Sequence, residues 1–332
     1  MVPVESDGTK NSLAYYVLDV FSERRLEGNA LAVVLHEGAL SVETMQAIAR
    51  ETNLSETTFV ERREAEVERR DGVRVRIFTT QEELPFAGHP TLGTASLLKA
   101  IAPECMVGDT VTLALKVGPV RVRFEANGPD GAAWPVKGEM TQRDPEFGET
   151  LDALEVAALT GLSVDDFGTK MPIQIVSTGT AFAIVPLRSA DSLARLRVRH
   201  EEANAFLRVR GARWFYVLGP ETAGGTTSTP DTAETLPLWR ARMQFNGGED
   251  PATGSAAGCA ISHLVRHGAV APDRMIHVRQ GVEMLRPSDI FLTAGLDGGL
   301  EKHVGETLQT KVTNVRVGGS TILVATGRLF LP

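Results

Sequence analysis

The stretches His89-Pro90-Thr91-Leu92-Gly93-Thr94-Ala95 and Asp250-Pro251-Ala252-Thr253-Gly254-Ser255-Ala256 share a Pro, a Gly, a hydroxyl residue and an Ala at one spacing, each behind a polar leader. An apolar run at helical spacing follows each, Leu97 and Leu98 after the first and Ile261, Leu264 and Val265 after the second. The pattern predicts a glycine-containing loop opening into a helix, with Pro90 and Pro251 in the first turn, where a missing N–H costs nothing. A helix opened through Gly, Thr and Ser presents backbone N–H groups and the positive end of its dipole, which favours an anion such as a carboxylate. Two such ends facing each other would grip a small acid.

The elements that must position these loops are legible in outline. Strands are expected over Ala14–Phe21 and Leu31–Leu35 about the turn Gly28-Asn29-Ala30, then a helix opened by Ser41 with Met45, Ile48 and Ala49 on one face. The polar turn Asn53-Leu54-Ser55-Glu56 runs into a strand, and Val73–Phe78 leads towards the first motif. A hairpin is expected over Val111–Val117 and Val120–Phe124 across Gly118-Pro119, and a helix over Leu151–Leu162. Between Asn127 and Thr150 no period is held, which sets a boundary between domains at 1–140 and 141–332. In the second half Ser55-Glu56-Thr57-Thr58-Phe59 finds a partial echo in Thr178-Gly179-Thr180-Ala181-Phe182, and Trp214–Leu218 reads as a strand. Thr222–Thr235 is an insertion rich in Gly, Ser, Thr and Pro, expected to be a surface loop. Strands close the chain at Met275–Arg279, Ile290–Ala294, Lys311–Val317 and Thr321–Leu331, with turns at Gly281, Gly295 and Gly318-Gly319.

A chain of 332 residues has room for two domains with their own cores. Its net charge of -8 argues against nucleic acid, and the basic stretch Arg188–Arg213 reads as a solvated helix face. No apolar run is long enough to span a bilayer and no targeting signal is readable, so a cytoplasmic protein with no membrane contact is expected. Cys105 and Cys259 are too few for a disulfide framework. His263 and His267 stand at i and i+4 but lack the Glu of an HExxH motif and a third ligand, so no metal site is expected. Hydrolase, kinase and dehydrogenase motifs are absent from the sequence.

Ser55-Glu56-Thr57, Gly88-His89-Pro90-Thr91 and Glu249-Asp250-Pro251-Ala252-Thr253-Gly254-Ser255, with Gly28–Val34, Gln280-Gly281 and Arg286-Pro287-Ser288, together resemble the phenazine-biosynthesis PhzF-like isomerase family, of the diaminopimelate epimerase fold. The resemblance runs from about Tyr15 to the C-terminus. It implies an α+β protein of two pseudo-symmetric halves, each a β-sheet wrapped around a central α-helix. The active site would lie between them, and the terminal strand would return to the first half. It also implies a cofactor-free enzyme, usually a homodimer. Epimerase relatives exchange the proton through two cysteines at the helix ends, places that Cys105 and Cys259 do not occupy.

The family assigns the acid/base role to the glutamate matching Glu56, and Leu54, Phe59 and Phe86 would make its surroundings apolar and raise its pKa towards neutrality. His89 and Asp250 would bind or polarise substrate and relay protons. Ser255 and Thr253, with the N–H groups near Gly88 and Gly254, would hold the substrate carboxylate and the enolate-like charge. The segment Gln244–Gly248 is short for the family, so the substrate of the phenazine pathway does not transfer with the motifs. The function expected is a cofactor-independent isomerase that shifts a proton on a small carboxylate-bearing substrate. An amino- or hydroxy-acid epimerase or dehydratase, and a non-catalytic small-molecule-binding protein with the same cleft, are the alternatives.

Overall fold

The computed structural model describes residues 12–126, 132–168, 170–221, 236–245, 248–297 and 311–331. The chain divides into two compact units, the first made of Met1–Val20, Ala30–Val136 and Thr321–Pro332, the second of Phe21–Asn29 and Lys137–Ser320. The insertion expected as a loop at 222–235, and Asn246 and Gly247, lie outside the described residues.

The first unit runs β1 (Ser12–Val20), β2 (Asn29–His36), α1 (Val42–Thr52), β3 (Glu56–Glu61), α2 (Ala65–Asp71), β4 (Val73–Phe78), β5 (Glu83–Leu84), α3 (Gly88–Ile101), β6 (Thr110–Leu115) and β7 (Gly118–Phe124). β2 lies parallel to β3, β3 antiparallel to β4, β4 parallel to β6 and β6 antiparallel to β7. α3 packs against β1, β3, β6 and β7, and every residue from Gly88 to Leu98 is buried. A helix surrounded by strands needs small residues where a strand comes closest: a Cβ on Gly93 would lie 2.6 Å from Val20 Cγ2 and 2.7 Å from Leu31 Cδ2. α1 covers the other face of the sheet, where Met45, Ile48 and Ala49 cluster with Val34, Phe59 and Phe78. The Ser41 hydroxyl caps this helix by accepting from Thr44 N–H at 3.1 Å.

The second unit runs β8 (Val136–Thr141), β9 (Glu146–Thr150), α4 (Ala153–Thr160), β10 (Gln174–Ser177), β11 (Ala181–Pro186), α5 (His200–Arg208), β12 (Phe215–Pro220), β13 (Leu238–Arg242), β14 (Gln244–Phe245), β15 (Gly248–Glu249), α6 (Gly254–Arg266), β16 (Ile276–Gln280) and β17 (Ser288–Asp297). β11 is parallel to β12, β12 antiparallel to β13, β13 parallel to β16 and β16 antiparallel to β17. This is the order of β2, β3, β4, β6 and β7, with α6 following β13 as α3 follows β4. Each unit is therefore α+β, with a sheet packed about a buried helix, since α6 lies against β10, β11 and β17.

This topology corrects the register of the sequence repeat. α3 begins at Gly88 and α6 at Gly254, so His89 corresponds to Ser255, whereas Asp250 lies in the loop before its helix. Pro90 sits in the first turn as expected, while Pro251 precedes α6. The echo of residues 55–59 at 178–182 is also accidental. β3 corresponds to β12, whose first residue is the buried Phe215, and Thr178 and Gly179 form the turn between β10 and β11.

The last strand, β18 (Lys311–Phe330), is continuous over 20 residues, in place of the turn expected at Gly318-Gly319. These glycines mark close approach instead: a Cβ on Gly318 would lie 3.0 Å from the Gly138 carbonyl oxygen, and one on Gly319 2.5 Å from the Phe21 ring. Up to Gly318 β18 pairs with β17 in the second unit. From Thr321 it pairs with β1 in the first, from Val20↔Thr321 to Ser12↔Phe330. Among the described residues, no helix is long and apolar enough to cross a membrane.

Candidate active site

Glu56 opens β3. Side chains alternate along a strand, so Glu56 shares its face with Thr58, whose hydroxyl meets that of Thr94 on α3 at 2.9 Å. Glu56 therefore points towards α3, and its Oε2 lies 3.4 Å from His89 Nε2, with the two side chains 17% and 6% exposed. Phe59 has the opposite parity and stacks edge-on against Phe78 beneath α1, at 5.4 Å between centroids. It does not wall the carboxyl, contrary to the expectation from sequence, while Leu54 and Phe86 are half-buried.

His89 is the second residue of a 14-residue helix. Burial pushes its pKa down to about 3, so the ring is neutral at physiological pH and its contact with Glu56 is no ion pair. The N–H groups of Gly88 and His89 precede the first possible intrahelical bond, and the first carbonyl of this end, that of Ala87, accepts from Thr91 N–H at 3.3 Å and from the Thr91 hydroxyl at 2.7 Å. The first unit thus brings together a carboxylate, a neutral imidazole and a helix N-terminus.

The second unit gathers its own set around Asp250. Asn29 Nδ2 donates to Asp250 Oδ1 at 2.8 Å and to the Ala252 carbonyl at 3.1 Å, and the Thr253 hydroxyl donates to Oδ2 at 2.7 Å. Burial raises the Asp250 pKa to about 6, although the hydrogen bonds from Thr253, Ala252 and Asn29 act in the opposite sense and Glu249 adds repulsion. Glu249 is fastened by a bidentate pair to Arg242, at 2.8 and 2.6 Å. Gly254 and Ser255 open α6, whose N-terminus is held by Gln142: its Nε2 donates to the Gly254 carbonyl at 2.9 Å, and its Oε1 accepts from Thr178 at 2.6 Å. Ser255 is half-buried, whereas Thr253 has both its hydroxyl and its N–H engaged inside the protein.

Two residues of this set are visible in the sequence only as parts of family segments, with no role attached. Asn29 holds the Asp250 carboxyl, and the fully buried Gln280 holds the loop that carries it. Gly281 follows at φ 76°, and a Cβ there would lie 2.3 Å from the Arg286 carbonyl and 2.8 Å from that of Pro251. Arg286 in turn donates to the Gly28 and Glu27 carbonyls, each at 2.8 Å, which fixes the segment bearing Asn29. No local sequence signal gives either residue its role, because the burial of Gln280 and the left-handed Gly281 are properties of the fold.

The other candidates resolve simply. Burial pushes both cysteine thiols up to about 11, so neither is a thiolate at neutral pH. His263 and His267 engage their Nε2 atoms with the Pro172 carbonyl and Gln174 Oε1, at 2.9 and 3.1 Å. Among the described residues no group of three or more His, Cys, Asp and Glu could hold a metal ion.

Comparison with known proteins shows the family of the chain. The profile of the phenazine biosynthesis-like protein family, PhzC-PhzF, matches residues 18–327. The chain is 34% identical to an uncharacterized isomerase of Mesorhizobium japonicum, over 97% of this chain and 99% of that one. It is likewise 34% identical to the trans-2,3-dihydro-3-hydroxyanthranilate isomerase of Pseudomonas aeruginosa, over 96% of this chain and 99% of that one. Among solved structures, an epimerase from Pseudomonas aeruginosa, so described on prediction, superposes with a TM-score of 0.73 at 32% identity, covering 96% of this chain and 100% of its own.

Proposed function

The chain belongs to the phenazine biosynthesis-like protein family and is an isomerase, and we propose that it moves a proton on a small, carboxylate-bearing substrate with a cyclic or conjugated skeleton, without a cofactor. Glu56 takes the proton from carbon and returns it at another position of the same skeleton. The observation that carries this reading is the approach of Glu56 to His89, at 3.4 Å, where α3 opens. A neutral imidazole beside the carboxylate is placed to donate a hydrogen bond to the reacting atom as substrate arrives, and it lacks the positive charge that would depress the carboxyl's basicity. In the first unit the backbone N–H at Gly88 stabilises the negative charge that grows on deprotonation, and in the second the N–H at Gly254, with Ser255, binds a carboxylate. Asp250, with its pKa at about 6, is populated in both protonation states near neutrality and serves as a donor or acceptor. Thr253 positions that carboxyl.

The compound named for the Pseudomonas relatives, trans-2,3-dihydro-3-hydroxyanthranilate, fits this substrate class and is the first to try. The test follows its carbon-bound protons by NMR in deuterated water, with a panel of other small cyclic acids and amino acids alongside. Wild-type protein is expected to carry deuterium into one carbon position, and Glu56→Gln to slow that exchange by at least about 100-fold. Full activity in Glu56→Ala would overturn the assignment.

A further inference from the structure

Gln280 uses every hydrogen-bonding site of its amide. Its Nε2 donates to the Asp250 backbone carbonyl at 2.8 Å and to Thr253 Oγ1 at 2.9 Å. Its Oε1 accepts from Thr253 N–H at 3.2 Å and from the Tyr216 hydroxyl at 3.1 Å. Two of these partners fix which way the amide points. A backbone N–H only donates, so the atom facing Thr253 N is oxygen, and a backbone carbonyl only accepts, so the atom facing Asp250 O is nitrogen. It follows that Thr253 Oγ1 receives a hydrogen from Gln280. Its own single hydrogen is then left for Asp250 Oδ2, at 2.7 Å.

We infer that Gln280 is a positioning residue: it fixes the direction of a hydrogen-bond chain, from its amide through the Thr253 hydroxyl to Asp250 Oδ2, so that Asp250 carries its own proton only on the side facing away from the loop. Asn29 closes the Oδ1 side in the same sense, since its Nδ2 donates there at 2.8 Å. With a donor aimed at each oxygen from within, both the lone pair that accepts and the proton that is lent are directed outward. The other groups that bear on this carboxyl are the Ala252 N–H, which also donates to it, the Tyr216 phenol, whose pKa burial raises, and Glu249, which is held by Arg242. This inference rests on the proposed function for its use of Asp250 in the reaction, though not for the geometry.

The test is a double-mutant cycle read by NMR titration of the Asp250 side-chain carbon in the full chain. Thr253→Val removes the hydroxyl at nearly constant shape, and Asp250 is expected to titrate about one pH unit higher. Thr253→Ser restores the wild-type titration. Gln280→Glu replaces the donating NH2 by an acceptor, so the Thr253 hydrogen turns away from Asp250 and adding Thr253→Val produces no further shift. An equal shift from Thr253→Val in both backgrounds overturns the inference. Should the charged variant fail to fold, a wild-type titration in Thr253→Val alone overturns it. The pH profile of kcat/KM, recorded in parallel, separates the two proposals. If it moves with the titration, Asp250 acts in the reaction. If the titration moves and the profile does not, the role given to Asp250 in catalysis falls while the chain of hydrogen bonds stands.

Discussion

Replacing Asp250 by asparagine removes a titration that the fold opposes, and the consequence is a stability difference that changes with pH. Burial raises the Asp250 pKa from 3.8 to about 6. A carboxyl whose folded pKa lies above its unfolded value gives stability that is fully present below about pH 3.8 and is lost as pH rises through about 6. The gap is roughly two units, and at about 1.4 kcal/mol per unit it corresponds to about 2 to 3 kcal/mol, the lower figure allowing for solvent at the half-buried edge of the residue. The amide introduced by Asp250→Asn also meets a mismatch, because its NH2 must face the donating hydrogen of Thr253 or of Asn29, which costs about 1 to 2 kcal/mol at every pH. The offset is constant and the titration is not. Urea unfolding of wild type and Asp250→Asn at pH 4.5, 5.5, 6.5 and 7.5 should therefore show the variant gaining on the wild type by about 2 kcal/mol across the series. All other groups are common to both chains and cancel. Two stability curves that run parallel over this range would refute the argument that burial dominates at Asp250.

His89 carries the opposite sign. Its folded pKa of about 3 lies below the ordinary 6.5, so the stability it gives is present above pH 6.5 and falls with acid at up to about 1.4 kcal/mol per pH unit; His89→Gln should flatten the acid limb of a urea-midpoint series between pH 6.5 and 4.5. Gly281→Ala places a Cβ at φ 76° against two carbonyl oxygens, and a loss of about 2 to 4 kcal/mol in urea unfolding is expected. In Gly93→Ala the overpacking against Val20 and Leu31, about 1 to 3 kcal/mol, is partly offset by a helix propensity gain of about 1 kcal/mol, so a smaller drop in thermal midpoint is expected than for Gly281→Ala. Glu56→Gln, whose carboxyl is partly solvated, should leave the unfolding free energy within about 0.5 kcal/mol of wild type while turnover collapses, as activity and urea unfolding on one preparation would show.

What the sequence discloses here depends on how local the cause is. The helix after Ser41 is a matter of one cap and one apolar face, and its buried residues Met45, Ile48 and Ala49 are those that the spacing indicates. The helices at Gly88 and Gly254 also follow from local signals, as do the isomerase family and the α+β class from the motif set. The repeat register fails because Pro-x-x-Gly does different work in its two copies: Gly93 lets strands close on a buried helix, while Gly254 opens one. Phe59 is a near neighbour of Glu56 in sequence, yet the pleat puts it on the other face. Asn29 and Gln280 lie beyond the reach of sequence for another reason. Each matters through a partner that is 221 or 30 residues away, and no periodicity encodes such a distance.

The division of β18 between the two units bears on how the protein is made. β1 leaves the ribosome before every other described element, and the stretch of β18 that pairs with it, from Thr321 to Phe330, leaves after all of them. At about 5 to 20 residues per second, the chain between Val136 and Thr321 takes on the order of 10 to 40 s to follow. Throughout that interval the first unit holds an unfilled strand position along β1, an edge able to accept any extended chain that passes. Completion of the first unit thereby waits on the emergence of Thr321 and the residues after it. A nascent chain stalled beyond residue 136 but short of residue 321 would keep that edge open however well its central helix had packed.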